Sequence, residues 1–387
     1  MELIRGRWSK KYINCFEDKR DYDIMRRGYM QSHEKIAGNY CEEFEPPELT
    51  LNEKKEITSY WGQFGIKIYD FNWHRMYYAV TGLHDPRFVP DLVAGMILYE
   101  YYNDKAYEYT WRDKNMFERL LPEVPMPKTY GKCIRNRLYI PNYGYLERNE
   151  AGTGAFIHEI WKMIRQPMDV VFKNTRDTGF GKSVMKYHIT CEADIVSAIK
   201  EWAQCQNFII QECIYQHNIL KNFNETSTNM IRVCSWRHGT DVDILFAAAR
   251  AGIPGSITDV SFVDGIEKVQ LVGITKDGLF ADRILDQNGR VIRMLPENTP
   301  VPAWDTIKNI IKRNHLLIDN FDIIGWDFTI NEKNEPYCFE WNIQWPGTVL
   351  YQYTNGPLYG EKTEELFDFL KIEKNRDNYI PHFMRAK

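Results

Sequence analysis

Runs in which apolar and polar residues alternate fill the second half of the chain. Val184-Met185-Lys186-Tyr187-His188-Ile189 has the two-residue period and composition of a half-buried strand. Further candidate strands lie at 170–173, 207–214, 229–236, 243–249, 268–274, 322–330 and 336–343, between turns rich in Gly, Asn and Asp. Helical spacing is confined there to segments such as 193–204 and 303–318. This mixture predicts an α+β fold with largely antiparallel sheets. From Leu51 to about Pro127 the period is mostly helical, with turns at Thr81-Gly82 and His84-Asp85-Pro86. The tyrosine-rich stretches of this region read as a packed helix face. Residues 1–50 are charge-dense and end in EEFEPPELT, whose paired prolines suit an exposed connector. The chain therefore divides into an N-terminal extension 1–50, a mainly helical lobe 51–127, and a strand-rich part from 128 onward, with no internal repeat.

Composition narrows the function classes. The 387 residues are 44% hydrophobic and 14% aromatic, ample material for packed lobes. A net charge of -4 gives no general reason to bind nucleic acid or an anionic membrane, so no nucleic-acid partner is expected and any phosphate site must be local. The eight cysteines include no C-x-x-C spacing, which argues against a zinc knuckle or dithiol and for reduced thiols in the cytoplasm. No apolar run reaches transmembrane length, and the N-terminus lacks a signal-peptide core. The histidines show no zinc-ligand spacing, and Ser183 has no identifiable His and acid partners for nucleophilic catalysis.

Two stretches carry candidate chemistry. VVFKNTRDTGFGKS, residues 170–183, ends like a Walker loop, but five residues before Gly181 stands Arg176 instead of glycine, and a strand follows instead of a helix. The stretch reads as strand, glycine-bearing turn, strand. Gly179 and Gly181 would lay unhindered backbone amides over a polyphosphate, and Lys173 would add a point charge beneath it.

The second is GWDFTINEKNEPYCFEWNIQWPG, residues 325–347. Two strands around the polar turn 331–335 let Asp327 and Glu340 face each other, with Asn342 on the same face because the strand period is two. Two carboxylates and an amide oxygen form a hard-oxygen set suited to Mg²⁺, and without a cation the two acids would repel.

Taken together, the chain resembles the ATP-grasp superfamily. Asp113-Lys114, Lys173 with the 179–181 turn, the hinge-like strand FIIQECI, and Asp327, Glu340 and Asn342 at spacings of thirteen and two match its motifs in order. VTGLHDPRFVPDLV, STNMIRV, AAARAG, IIGWDFTI and NGPLYGE further resemble the sugar-transfer-associated ATP-grasp group found among surface-polysaccharide enzymes. The resemblance implies two α+β lobes clasping ATP and Mg²⁺, a small lobe 128–215 with the glycine lid and a large lobe 216–387 with the metal site. Lys114 and Lys173 would hold phosphates while Gly179 and Gly181 close over them. The hinge Gln211, Glu212, Cys213 and Ile214 would meet adenine, and Arg232 and Arg250 would meet the substrate anion or acyl phosphate.

The implied activity is a carboxylate–amine ligase that makes an acyl phosphate, on a sugar acid or related glycan precursor. Phosphate transfer to an alcohol, as in a kinase, and nucleotide binding without turnover are the alternatives. Asp259-Val260 and Asp264-Gly265 stand where the group usually has Asp-Asn and Gly-Gly, and Asn229-Met230 lacks the group's hydroxyl, so the acceptor pocket is expected to differ. No acid follows the hinge where ribose hydroxyls are usually bound; His217 or Asn218 would substitute.

Overall fold

The structure is a computed structural model, and it describes residues 31–141, 144–175, 184–263 and 266–371. Two antiparallel sheets organise it. The first has six strands in the order β3-β2-β1-β6-β4-β5. They are β1 Thr129–Ile134, β2 Arg137–Tyr139, β3 Tyr145–Glu147, β4 Met168–Asn174, β5 Val184–Ile189 and β6 Phe208–Glu212. The helices Glu150–Ile164 and Glu192–Glu201 cover one face, where Phe156, Ile160, Ile195 and Ile199 pack on Val170, Phe172, Phe208 and Ile210. Gly131 permits this layer to close, since a Cβ there would stand 2.6 Å from the Phe156 ring.

The second sheet has seven strands in the order β13-β12-β11-β8-β7-β14-β15. These are β7 Met230–His238, β8 Asp241–Ala251, β11 Gln270–Ile274, β12 Arg283–Leu285, β13 Val291–Met294, β14 Ile323–Ile330 and β15 Pro336–Asn342; β9 Ser261–Val263 and β10 Ile266–Lys268 pair apart from it. One face is apolar throughout: Ile231 and Val233 of β7, Ala247 and Ala249 of β8, and Ile324, Trp326 and Phe328 of β14 pack against Trp304, Ile307 and Ile311 of the helix Trp304–His315.

The opposite face changes character along its length. At one end Cys234, Trp236, Phe246, Ala248 and Ile323 share a core with Trp61, Phe64, Tyr77, Phe88 and Tyr99 of the N-terminal helices and with Leu366 and Phe367. A few residues on, the same strands present Arg232, Arg250 and Asp327 instead, and there the sheet stops being covered by apolar side chains. Asn103 joins the two parts, donating to the carbonyls of Ile323 and Ile343 at 2.8 and 2.6 Å and accepting from the Ile323 amide at 3.0 Å. The helices before residue 121 therefore do not close a core of their own.

Two expectations need revision. Residues 1–30 lie outside the described residues, but 31–50 are not a loose extension: the helix Gln31–Phe44 buries Ala37 and Cys41, and Pro46 and Leu49 of the connector are buried as well. The strands of 129–147 fall in the part expected to be strand-rich, though not singled out there, whereas the helix Glu150–Ile164 was not expected. Its glycines Gly152 and Gly154 mask the helical signal, while Asn149, accepting from the Gly152 amide at 2.8 Å, supplies the start.

Candidate functional site

Strand register assembles the charged end of the large sheet. β14 and β15 place Asp327 opposite Glu340 and Gly325 opposite Asn342, and β7 places Arg232 opposite Asp327 on the other side. Arg232 grips Asp327 through Nε and Nη2, the latter at 2.7 Å, and its Nη1 donates to the Pro346 carbonyl at 2.9 Å. Both side chains are almost fully enclosed, at 6% and 2% exposure. Arg250 reaches Asp327 at 3.3 Å, Asp259 at 2.6 Å and the Tyr351 hydroxyl at 3.2 Å. Arg232, whose donor nitrogens are all engaged, organises Asp327, whereas Arg250 borders the space beyond and its enclosed Nε has no partner among the described residues.

Gly325 makes this arrangement possible. A Cβ on it would lie 2.5 Å from the Pro346 oxygen and 3.1 Å from Cδ of Arg232. Gly325→Ala is expected to push the 344–347 turn outward and destabilise the protein by about 1–3 kcal/mol, read as a lower denaturant midpoint.

Lys114 approaches from a different element. Its backbone amide donates to Thr175 at 3.3 Å, Asn115 donates to the Thr175 hydroxyl at 2.8 Å, and Trp341 of β15 donates to the Trp111 carbonyl at 2.7 Å. This short segment is thus pinned between the two sheets. Lys114 Nζ sits 2.8 Å from Glu340 Oε2. Burial opposes ionisation of Glu340, but the hydrogen-bonded Lys114, with Arg232 and Arg250 behind it, holds its carboxyl well below the usual range. Lys173 of β4 is 7% exposed, with Nζ 4.2 Å from the centre of the Phe339 ring. Burial, then the nearby Lys114 charge, push it down to about 7.

Two connected chambers meet here. The first runs between the sheets and is lined by Lys114, Lys173, Lys186, Glu212, Cys213, Ile214, Asp327 and Glu340. The second opens toward the N-terminal helices and is lined by Tyr109, Arg112, Gln344, Trp345 and Tyr351. Lys114, Arg250, Asp259 and Glu340 border both. Gly179 and Gly181 lie outside the described residues, although the strands leading to them pair as expected, Lys173 opposite Val184. In the hinge, Glu212 accepts from the Lys128 amide at 2.7 Å and the Cys213 amide donates to Asp169 at 3.3 Å. Gln211 is turned away, donating to the Pro127 carbonyl at 3.2 Å.

Several lining residues escaped sequence reasoning. Glu225 borders the first chamber because Asn224 donates to the carbonyls of Gly252 and Ile253, at 3.1 and 2.9 Å, and so turns the chain back after the hinge. His217 and Asn218 do not line either chamber; His217 instead accepts from the Ile219 amide at 3.3 Å as a helix cap. Lys186, on β5 opposite Val171, carried a signal in its strand period; its ammonium pairs with Asp169 at 2.6 Å. Asn229 is fully buried and ties the 216–229 loop together, donating to the carbonyls of Leu220 and Asn224 at 2.7 Å each.

The expectation that facing acids would require a divalent cation does not hold. Arg232 and Arg250 neutralise Asp327, and Lys114 neutralises Glu340, so the charge is balanced within the chain. The donor chemistry nevertheless fits a hard cation. Glu340 and Asn342 lie two residues apart on one strand face, and Asn342 donates to Asp327 at 3.2 Å through its nitrogen, which leaves its amide oxygen for a ligand. Among the described residues no three His, Cys, Asp or Glu side chains converge as a ready cage, so any bound metal would rely on Glu340, Asp327, Asn342 and ligand oxygens.

Comparison with solved structures finds ATP-grasp ligases at low similarity. A D-Ala:D-Ser ligase from Enterococcus faecalis is 12% identical, with 70% of this chain and 63% of that one covered and a TM-score of 0.43. The D-alanyl-alanine synthetase A of Vibrio cholerae gives 10%, 68%, 64% and 0.39 in the same order. An N5-carboxyaminoimidazole synthase from Aspergillus clavatus, in complex with ADP and 5-aminoimidazole ribonucleotide, gives 10%, 62%, 46% and 0.35. The chain spans about half the length of the first solved structures it matches. No curated protein matches. The model of the sugar-transfer associated ATP-grasp family matches residues 96–365, a span that holds both sheets, both lysines and the Asp327–Glu340 pair, and the chain belongs to that family.

Proposed function

We propose that the protein is an ATP-dependent carboxylate–amine ligase that acts through an acyl phosphate on a sugar acid or related precursor of surface polysaccharide. The observation that carries this reading is the meeting of two chambers at Lys114, Arg250, Asp259 and Glu340. In it, adenine lies along the backbone of Glu212, Cys213 and Ile214, and Glu225 takes the ribose hydroxyls. Lys173 and Lys114 hold the phosphates, directing the γ-phosphoryl toward the second chamber. A carboxylate entering from that side meets the guanidinium of Arg250, which borders both chambers, and attacks phosphorus, displacing ADP to give the acyl phosphate. An amine then attacks the acyl carbon; the C–O bond to phosphate breaks and phosphate leaves with the electron pair, while Arg250 steadies the oxyanion. Asp259 lies within reach as acceptor of the amine's proton. Mg²⁺, held by Glu340, Asp327 and Asn342, would supply charge neutralisation on the transferred phosphoryl group.

Incubating the purified chain with Mg-ATP, uronic or other sugar acids and amines should release ADP and yield an amide identified by mass; release of neither rejects the reading. Glu340→Gln should cut turnover at limiting Mg²⁺ by about tenfold or more while costing less stability than loss of the enclosed Asp327 charge, because Glu340 is half-buried and Lys114 can reach water. Unchanged turnover at limiting Mg²⁺ contradicts the metal role.

A further inference from the structure

Each acid of the carboxylate face has a base against it before any ligand arrives. Glu340 is matched by Lys114 at 2.8 Å, Asp327 by Arg232, and Asp259 by Arg250 at 2.6 Å: three acids against three bases. A divalent ion entering alone would add charge beside Lys114 and two guanidinium groups. To coordinate Glu340 it would also have to displace an ammonium already bound to it. Lys114 can leave only by its side chain, because the Thr175 and Trp341 contacts fix the backbone on both sides.

Nucleotide phosphates in the first chamber would offer the ammonium a further, multiply charged anion. Lys114 borders the same space as Lys173, so a polyphosphate placed between them would attract both. We propose that Lys114 is the resident counter-ion of Glu340, and that a divalent cation gains this carboxylate only after nucleotide phosphates draw the ammonium away. Metal binding is then conditional on nucleotide, and the nucleotide-free protein keeps its metal face closed by its own lysine. This rests on the nucleotide-binding reading given above.

The test is Mn²⁺ binding to the full chain, followed by electron paramagnetic resonance, with no nucleotide, with adenosine and with ADP. Without nucleotide or with adenosine the wild type should bind Mn²⁺ at least about tenfold more weakly than with ADP. Lys114→Met should bind Mn²⁺ without nucleotide at least about tenfold more tightly than the wild type, and adding Glu340→Gln should remove the gain. Lys114→Gln serves as the second variant, and circular dichroism checks the fold of each. The inference is overturned if the wild type holds Mn²⁺ equally with and without ADP, or if neither Lys114 variant gains a site. ADP binding is measured separately in EDTA: no binding there overturns the nucleotide reading itself, whereas normal ADP binding with Mn²⁺ already seated overturns only the part assigned to Lys114.

Discussion

Asp327→Asn should unfold in denaturant at a markedly lower midpoint than the wild type, a loss of about 3–5 kcal/mol. Asp327 is 2% exposed and is gripped by two nitrogens of Arg232, itself 6% exposed. Removing the carboxylate charge leaves the guanidinium enclosed without its counter-ion, and a buried ion broken on one side costs far more than the intact pair contributes. Arg250, 3.3 Å away, would lose an anchor too and keep only Asp259 and Tyr351. The contrast with Glu340→Gln is the informative part. If Asp327 served only a bound metal, both substitutions would leave the apo protein equally stable. An unchanged unfolding curve for Asp327→Asn would refute the structural role of the Arg232 pair.

Lys173→Met should separate stability from binding. The ammonium has the Phe339 ring beneath it and, burial first and Lys114 second, is held down at about 7, against an ordinary 10.5. A folded value below the unfolded one means that the charged form is penalised on folding; the penalty is full below pH 7 and fades as pH rises toward 10.5. Methionine removes it, so the variant should melt higher than the wild type near pH 7. Phosphate favours the ammonium and raises its value in the complex, so nucleotide binding takes up a proton above pH 7. The wild type's ADP affinity should therefore fall by up to about tenfold per pH unit above 7, and that of Lys173→Met should be weaker by about tenfold or more and lack this slope. Calorimetry in buffers of different ionisation enthalpy measures both. A pH-independent affinity in the wild type would show that Lys173 does not meet the phosphates.

How much of this was legible depended on distance along the chain. The hairpin that sets Asp327 opposite Glu340 is local, and alternation about a polar turn predicts it. The strand at Lys173 and its partner at Val184 were readable for the same reason. The partners that neutralise the acids were not, because Arg232 and Asp327 are 95 residues apart and meet only through sheet order. Glu225 was hidden by a turn that a buried asparagine builds from carbonyls nearly thirty residues away. Helix Glu150–Ile164 was masked by two glycines whose low propensity is overridden by packing on the small sheet.

The apolar face that Cys234, Trp236 and Ile323 share with Trp61, Phe64 and Tyr77 makes the segment before residue 96, which the family match leaves out, part of one cooperative folding unit with the strands that carry the acids and arginines. The Tyr77–Phe88 stack, with ring centres 5.0 Å apart, lies within that shared core. Removing this early segment would therefore strip the large sheet of the side chains that cover Cys234, Trp236 and Ile323.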